Sequence, residues 1–313
     1  MKSFLGKLGL FTVILSVLFI VCGIDLDKSR HATEYMAAII DKHRRANETP
    51  GRRIFFTGGS NIAFGVDCKR LENEVKMPVI NMGIHVRLGL TYMLNELKSV
   101  TRPGDIVFLS LEYFLDEGNY KLKRRMSWYL PESEGYFAKN IPGEIAYYFD
   151  RRFDNIKNNR QLLFARLTSL GGGASSNTDA LYARKGFDAN GDFVAHYTEP
   201  QPAEIQERGK FTYQHWDGIA KLNDFYKWAQ ANSVKVFLLY PAYPVTEYEK
   251  NKEVIQHYHN DLKKELQAPV ICTPEDFVYP DSLFFDTIYH LNQQGIQQKT
   301  DKLLQVIAAH IHE

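Results

Sequence analysis

Apolar runs and helical patterns alternate along most of this chain. Arg53–Thr57 (RIFFT) is a short apolar run that ends in Gly-Gly. Pro78–Met82 (PVINM) is a second. Asp105–Leu111 (DIVFLSL) is a third, introduced by the turn Arg102-Pro103-Gly104-Asp105. Val234–Tyr240 (VKVFLLY) and Pro269–Cys272 (PVIC) complete the set. Continuous apolar runs of this length fit strands buried on both faces, as in parallel sheets. Helical patterns separate them over Asp67–Lys76, Leu88–Val100, Asp217–Asn232 and Glu247–Leu266, and a last one covers Asn292–His310. Such alternation predicts a doubly wound α/β sheet, whose site forms where loops leave the carboxyl ends of the strands. Residues 113–216 interrupt the pattern. They are rich in Tyr, Phe, Arg and Asn, contain the loop Gly171–Ser176 (GGGASS), and are expected to form an inserted cap.

The amino-terminal pattern is different. Leu8–Ile24 carries no charge over 17 residues, roughly 25 Å of helix, near the short limit for crossing a bilayer. No face of it is polar, which argues against a buried soluble helix. Ile20-Val21-Cys22 offers neither the small residues of a signal-peptidase site nor the small residue that precedes a lipoprotein cysteine. An uncleaved membrane anchor is the expectation. Lys2 and Lys7 precede the run while Asp25 and Asp27 follow it, so the positive-inside rule places the body outside the cytoplasm. The expected organisation is an anchor over 1–30, a helical stalk over 31–50 and an α/β body over 51–313 with its cap at about 113–216.

Composition narrows the function. With 38 basic against 37 acidic residues the chain has no basic excess, and a nucleic-acid partner is not expected. The run Lys121–Arg125 (KLKRR) reads as a solvated face. Of three cysteines, Cys22 lies in the apolar leader, leaving Cys68 and Cys272 either to pair or to stay as buried thiols. No CxxC or Cys/His cluster points to a metal. Asp188–Asp192 (DANGD) resembles half of a calcium loop but lacks the downstream Glu at the right spacing and is expected to be a hairpin turn.

Three segments at predicted strand ends carry candidate chemistry. Thr57-Gly58-Gly59-Ser60-Asn61 follows the first strand, and its glycines let the chain turn sharply and present Ser60. Asn81-Met82-Gly83 follows the second and offers a backbone amide at the sheet mouth, as an oxyanion hole requires. Asp286 and His290 stand just before the final helix. A histidine activates a serine near neutral pH, and a carboxylate holds the ring. Alone, each has a plainer reading: a helix cap, a strand-ending turn, a capped helix with a surface histidine. His85, Arg87 and Glu112 are candidate substrate contacts, and Tyr240, in Tyr240–Pro244 (YPAYP), is a candidate for stacking on sugar rings.

Together and in this order, the GGSN, N-x-G and D…H blocks resemble the SGNH (GDSL-like) hydrolase and acyltransferase superfamily. The resemblance runs from about Arg53 to the carboxyl terminus, apart from the cap. It implies a flavodoxin-like three-layer α/β/α sandwich with Ser60 as nucleophile, the Ser60 and Gly83 amides as oxyanion donors, and His290 as base. The sequence departs from the pattern twice. After the third strand it reads Leu109-Ser110-Leu111-Glu112-Tyr113, where the family has a G-x-N-D motif with an oxyanion Asn. Ionised Glu112 accepts only, so Asn61 is the expected substitute. The last block is D-x-x-x-H, with Thr287 at the usual carboxylate position. Asp286 still reaches His290, because residues four apart face each other in a helical turn. These departures leave open a catalytically degenerate protein that serves as an assembly or polymer-binding factor. The anchor, the GGSN block and the aromatic middle look most like membrane-anchored DltD and AlgJ/AlgX-type proteins of cell-envelope polymer acylation. That likeness implies a single-pass protein of the bacterial inner (plasma) membrane with its domain on the periplasmic or extracellular side. It also implies a carbohydrate polymer substrate, a membrane-bound acyltransferase partner and no cofactor.

Overall fold

The structure, a computed structural model, describes residues 2–25, 29–169, 181–202, 205 and 209–311. The chain forms two compact units, one of Met1–Thr33 with Ala138–Ala180 and one of Glu34–Phe137 with Leu181–Glu313. In chain order, α1 (Lys2–Cys22) and α2 (Arg30–Thr33) belong to the first unit. The second unit continues with α3 (Ala38–Glu48), β1 (Ile54–Thr57), α4 (Ser60–Ala63), α5 (Cys68–Val75) and β2 (Val79–Asn81). It goes on through α6 (Leu90–Val100), β3 (Ile106–Ser110) and α7 (Tyr120–Tyr129). α8 (Ile141–Ser169) returns to the first unit. α9 (Gly218–Ala231), β4 (Lys235–Leu239), β5 (Tyr243–Pro244), α10 (Val245–Glu265), β6 (Val278–Tyr279) and α11 (Gln293–Ile311) close the second.

The central sheet is parallel, in the order β2-β1-β3-β4. The expected fifth strand reduces to one parallel bridge, Leu238 to Val270. Pro269 has no amide to extend that ladder, although its carbonyl accepts from the Leu238 amide at 2.9 Å. With the Val270 segment as an edge beyond β4, the order β2-β1-β3-β4 extends to the flavodoxin-like arrangement, while β5 and β6 pair in a separate two-stranded sheet. α6 packs between α3 and α9 in one layer, and α5 packs on α11 in the other. The register sets Phe56 beside Phe108 and Phe108 beside Phe237, and their rings stack at 5.2 and 5.5 Å. Full burial of each ring contributes about 1.5–3 kcal/mol. At the opposite, amino end of the strands, buried Arg53 and Asp105 pair, with Arg53 Nε donating to Asp105 Oδ1 at 3.2 Å.

Three expectations of organisation change. Residues 31–50 are not a free stalk: Ala37, Ala38, Ile39 and Ala46 are core residues, and α3 packs on β2 and α6. Residues 113–216 are not one cap. Their first part carries Tyr113, Tyr129, Tyr136 and Phe137 into the core of the α/β unit, whereas α8 joins α1 in the other unit. The loop Gly171–Ser176 lies outside the described residues. The KLKRR run is amphipathic rather than wholly solvated. Lys123 is buried and donates to the Glu117 carbonyl at 2.7 Å, while Lys121 and Arg125 are exposed. Asp188–Asp192 forms a tight turn closed by the Asp188 amide on the Asp192 carbonyl at 2.9 Å, with Gly191 at φ +92°. Cys68 and Cys272 are both free thiols. Phe4–Cys22, within α1, is long and apolar enough to cross a membrane.

Candidate active site

β1 has β2 on one side and β3 on the other, so the strand order reverses there. A crevice opens outside the carboxyl ends of strands at such a switch point. The GGSN turn occupies it. A Cβ at Gly58 would fall 2.3 Å from the Ser110 carbonyl oxygen, and one at Gly59 would fall 2.6 Å from Glu112 Oε1 and 2.9 Å from Val86 Cα. Both positions therefore exclude a side chain. This close approach sets Ser60 as the first residue of α4, at the mouth of the sheet. Asn61 donates from Nδ2 to the Ser110 carbonyl at 2.8 Å and ties the end of β1 to the end of β3.

The far-sequence partners arrive on the loop before α11. His290 Nδ1 lies 2.7 Å from Asp286 Oδ1, so the spacing of four residues brings the two into contact. The Tyr182 hydroxyl donates to the other Asp286 oxygen. Burial pushes the Asp286 carboxyl up. The hydrogen bond and charge of His290, with the Tyr182 hydroxyl, outweigh this and hold it below its ordinary range. With Nδ1 facing a carboxylate, the ring carries its proton there and leaves Nε2 as an acceptor. The ring lies flat on Phe64, at 4.0 Å and 8° between planes. Phe64 follows α4 directly, so the segment that presents Ser60 also carries the platform for His290. The loop is clamped again where buried His196 bonds from Nε2 to the Leu291 carbonyl at 2.9 Å.

Ser60 and His290 line one cleft of about 590 Å³, together with His85, Arg87, Glu112 and Thr287. Ser60 and His290 make no hydrogen bond to each other, and such bonds are often long until substrate is bound. His85 Nδ1 accepts from the Arg87 amide at 3.1 Å, which fixes the proton on Nε2. Burial, then the charges of Arg87 and His290, lower its pKa to about 4, so the ring is a neutral donor at physiological pH. Glu112 is buried at the end of β3 and lines the same cleft.

Three expected site residues face elsewhere. The Gly83 amide donates to Asn81 Oδ1 at 2.9 Å, and a Cβ at Gly83 would strike Ile62 at 2.6 Å. That glycine serves a close backbone approach, with its N–H already engaged. Asn61 is buried, and its Nδ2 is engaged by Ser110 rather than pointing at an oxyanion. Tyr240 is outside the cleft. Its ring is buried near Tyr113, and its hydroxyl meets His259 Nδ1 at 2.6 Å. Tyr182, Phe64 and His196 had no readable signal, because each acts through a partner about 95 to 226 residues away, an interval apparent only from Tyr182–Asp286, Phe64–His290 and His196–Leu291 pairing. Among the described residues no group of three or more His, Cys, Asp and Glu side chains is placed to hold a metal.

The fold and site together define a doubly wound α/β body with a serine, a histidine–aspartate pair and a neutral histidine at its switch point. No family model matches the chain, and no curated protein matches it. Among solved structures it is similar to a Desulfitobacterium hafniense DCB-2 protein described as lipolytic and of the G-D-S-L family. Identity is 11%, over 81% of this chain and 98% of that one, with a TM-score of 0.35. Strand order and register, not this likeness, define the fold described above.

Proposed function

We propose that this protein is a membrane-tethered serine esterase or O-acyltransferase that acts on a cell-surface polysaccharide outside the cytoplasm. The observation that carries the reading is that His290, held at Nδ1 by Asp286, lines the same cleft as Ser60 at the carboxyl end of β1. In the first half-reaction the Ser60 hydroxyl adds to an acyl carbonyl while His290 Nε2 takes its proton. The tetrahedral oxyanion collapses, the donor alcohol leaves with the proton held by His290, and the acyl group remains as an ester on Ser60. Water or a sugar hydroxyl then repeats the sequence in reverse and frees the serine. Asp286 orients the ring and stabilises the imidazolium. The Ser60 amide, the donor the sequence also suggested, and the His85 Nε2–H, in place of the Gly83 amide and the Asn61 side chain, are the oxyanion donors. Arg87 and Glu112 contact the substrate.

The amino-terminal apolar helix anchors the chain in the bacterial inner membrane, with positive charge on the cytoplasmic side. A membrane-bound acyltransferase that delivers acyl groups from inside the cell is the partner this chemistry calls for. The test is turnover of p-nitrophenyl acetate by the full chain in nanodiscs, with and without an oligosaccharide acceptor. Acetate release or transfer is expected, lost in Ser60→Ala and reduced about 10²–10⁴-fold in His290→Ala. One observation favours a second reading, a non-catalytic polymer binder: the Gly83 amide and the Asn61 side chain are both committed internally. Folded protein that binds glycan without any turnover would select it.

A further inference from the structure

The surface of the smaller unit carries an apolar stripe that the proposed chemistry does not use. Ile141, Ile145, Phe149 and Phe153 follow one another four residues apart along α8, and all are exposed, at 76%, 54%, 47% and 60%. Leu163, nearly three turns further on, is exposed at 55%. Spacing of four sets them on one side of the helix. Asp150, Asp154, Lys157 and Gln161 are exposed on the other side. A stripe of this kind is unstable in water and needs a cover.

The join between α8 and α1 identifies the cover. Its contacts fall on the last turns of α1. Phe19 packs on Phe149 at 5.9 Å and on Phe153 at 5.2 Å. Arg152 donates to the Ile20 carbonyl at 2.9 Å, Asn155 to that of Gly23 at 2.9 Å, and Asn159 to that of Cys22 at 3.0 Å. Those carbonyls are orphans of a helix end. Three polar side chains from the same side of α8 satisfy them. Phe4–Leu18, before the join, is exposed throughout. The apolar span Phe4–Cys22 holds 19 residues, about 28 Å, close to one hydrocarbon thickness. On the anchor reading its carboxyl end lies at a membrane boundary, and α8 packs on it there through Phe149 and Phe153.

We infer that α8 is an interfacial helix, lying on the bilayer with its Ile141–Phe153 stripe and Leu163 sunk into the lipid boundary around the exit of α1. This rests on the membrane-anchor reading of α1 above. Such helices sit about 5–10 Å into the headgroup–acyl boundary. Arg160, exposed further along the helix, is long enough to carry its guanidinium to the headgroup level from an apolar stem. The ligand is the lipid surface itself.

The test uses the full chain in phosphatidylcholine vesicles brominated either near the head or near the tail of the acyl chains. Single indoles are introduced by Ile145→Trp, Leu163→Trp, Phe11→Trp and Gln161→Trp, and the three native tryptophans are subtracted using the unsubstituted protein. Ile145→Trp and Leu163→Trp are expected to shift emission to the blue and lose most intensity to shallow bromines. Phe11→Trp should lose most to deep bromines, and Gln161→Trp should respond only to aqueous iodide. Two independent stripe positions guard against one misfolded variant. Iodide quenching of the stripe indoles with no bromine effect would overturn the inference while leaving the anchor intact. Stripe indoles shielded from both quenchers would also overturn it, since a second copy would then be the cover. A Phe11→Trp indole untouched by bromine would remove the anchor and the inference together.

Discussion

At the residue scale, the two histidines of the cleft are prepared for opposite tasks. His290 has a carboxylate at Nδ1, which leaves Nε2 as a proton acceptor. His85 has a backbone amide donating to Nδ1, which leaves Nε2 as a proton donor. The same ring becomes base or electrophile according to what its other nitrogen meets. Removing one oxyanion donor typically costs about 10²–10³ in rate. His85→Ala is therefore expected to lower kcat for p-nitrophenyl acetate by roughly that factor with little change in thermal stability. Steady-state kinetics beside a melting curve checks this, and an unchanged kcat would exclude His85 as a donor.

At the element scale, the segment Phe285–Asn292 is a short loop that must hold two side chains in fixed geometry. It does so through partners outside itself: Phe64 under the His290 ring, and His196 on the Leu291 carbonyl. Burial, chiefly, lowers the His196 pKa from 6.5 to about 4. The unfolded chain takes up a proton between these values that the folded chain refuses. Stability is thus full above about pH 6.5 and falls as pH drops toward 4, by roughly 3 kcal/mol at most. His196→Phe keeps an aromatic ring among Phe64, Phe193 and Phe285 and removes the titration. Urea unfolding from pH 7 to pH 4 should show a shallower loss of stability in this variant, and parallel curves would contradict the assignment.

At the scale of the whole molecule, the sequence displays its layers more readily than its long-range bonds. β1 to β4 fall inside the apolar runs because strands buried on both faces leave a continuous signal. The Asp286–His290 contact and the cleft shared by Ser60 and His290 follow from the strand ends and their order, which place these residues at one edge of the sheet. The misread residues share a cause. Gly83, Asn61 and Tyr240 stand at the right strand ends, but the partner of each polar group is chosen by tertiary packing. The division of residues 113–216 was hidden for a similar reason, since aromatic richness alone does not tell a core-packed segment from an amphipathic helix with an exposed stripe.

The proposed activity depends on Ser60 acting as a nucleophile activated by His290. Mass spectrometry of the full chain after exposure to a fluorophosphonate reads it most directly. One adduct is expected, on the peptide that contains Ser60, absent in Ser60→Ala and nearly absent in His290→Ala. An adduct that survives Ser60→Ala, or a folded chain that stays unmodified at saturating probe, would contradict it.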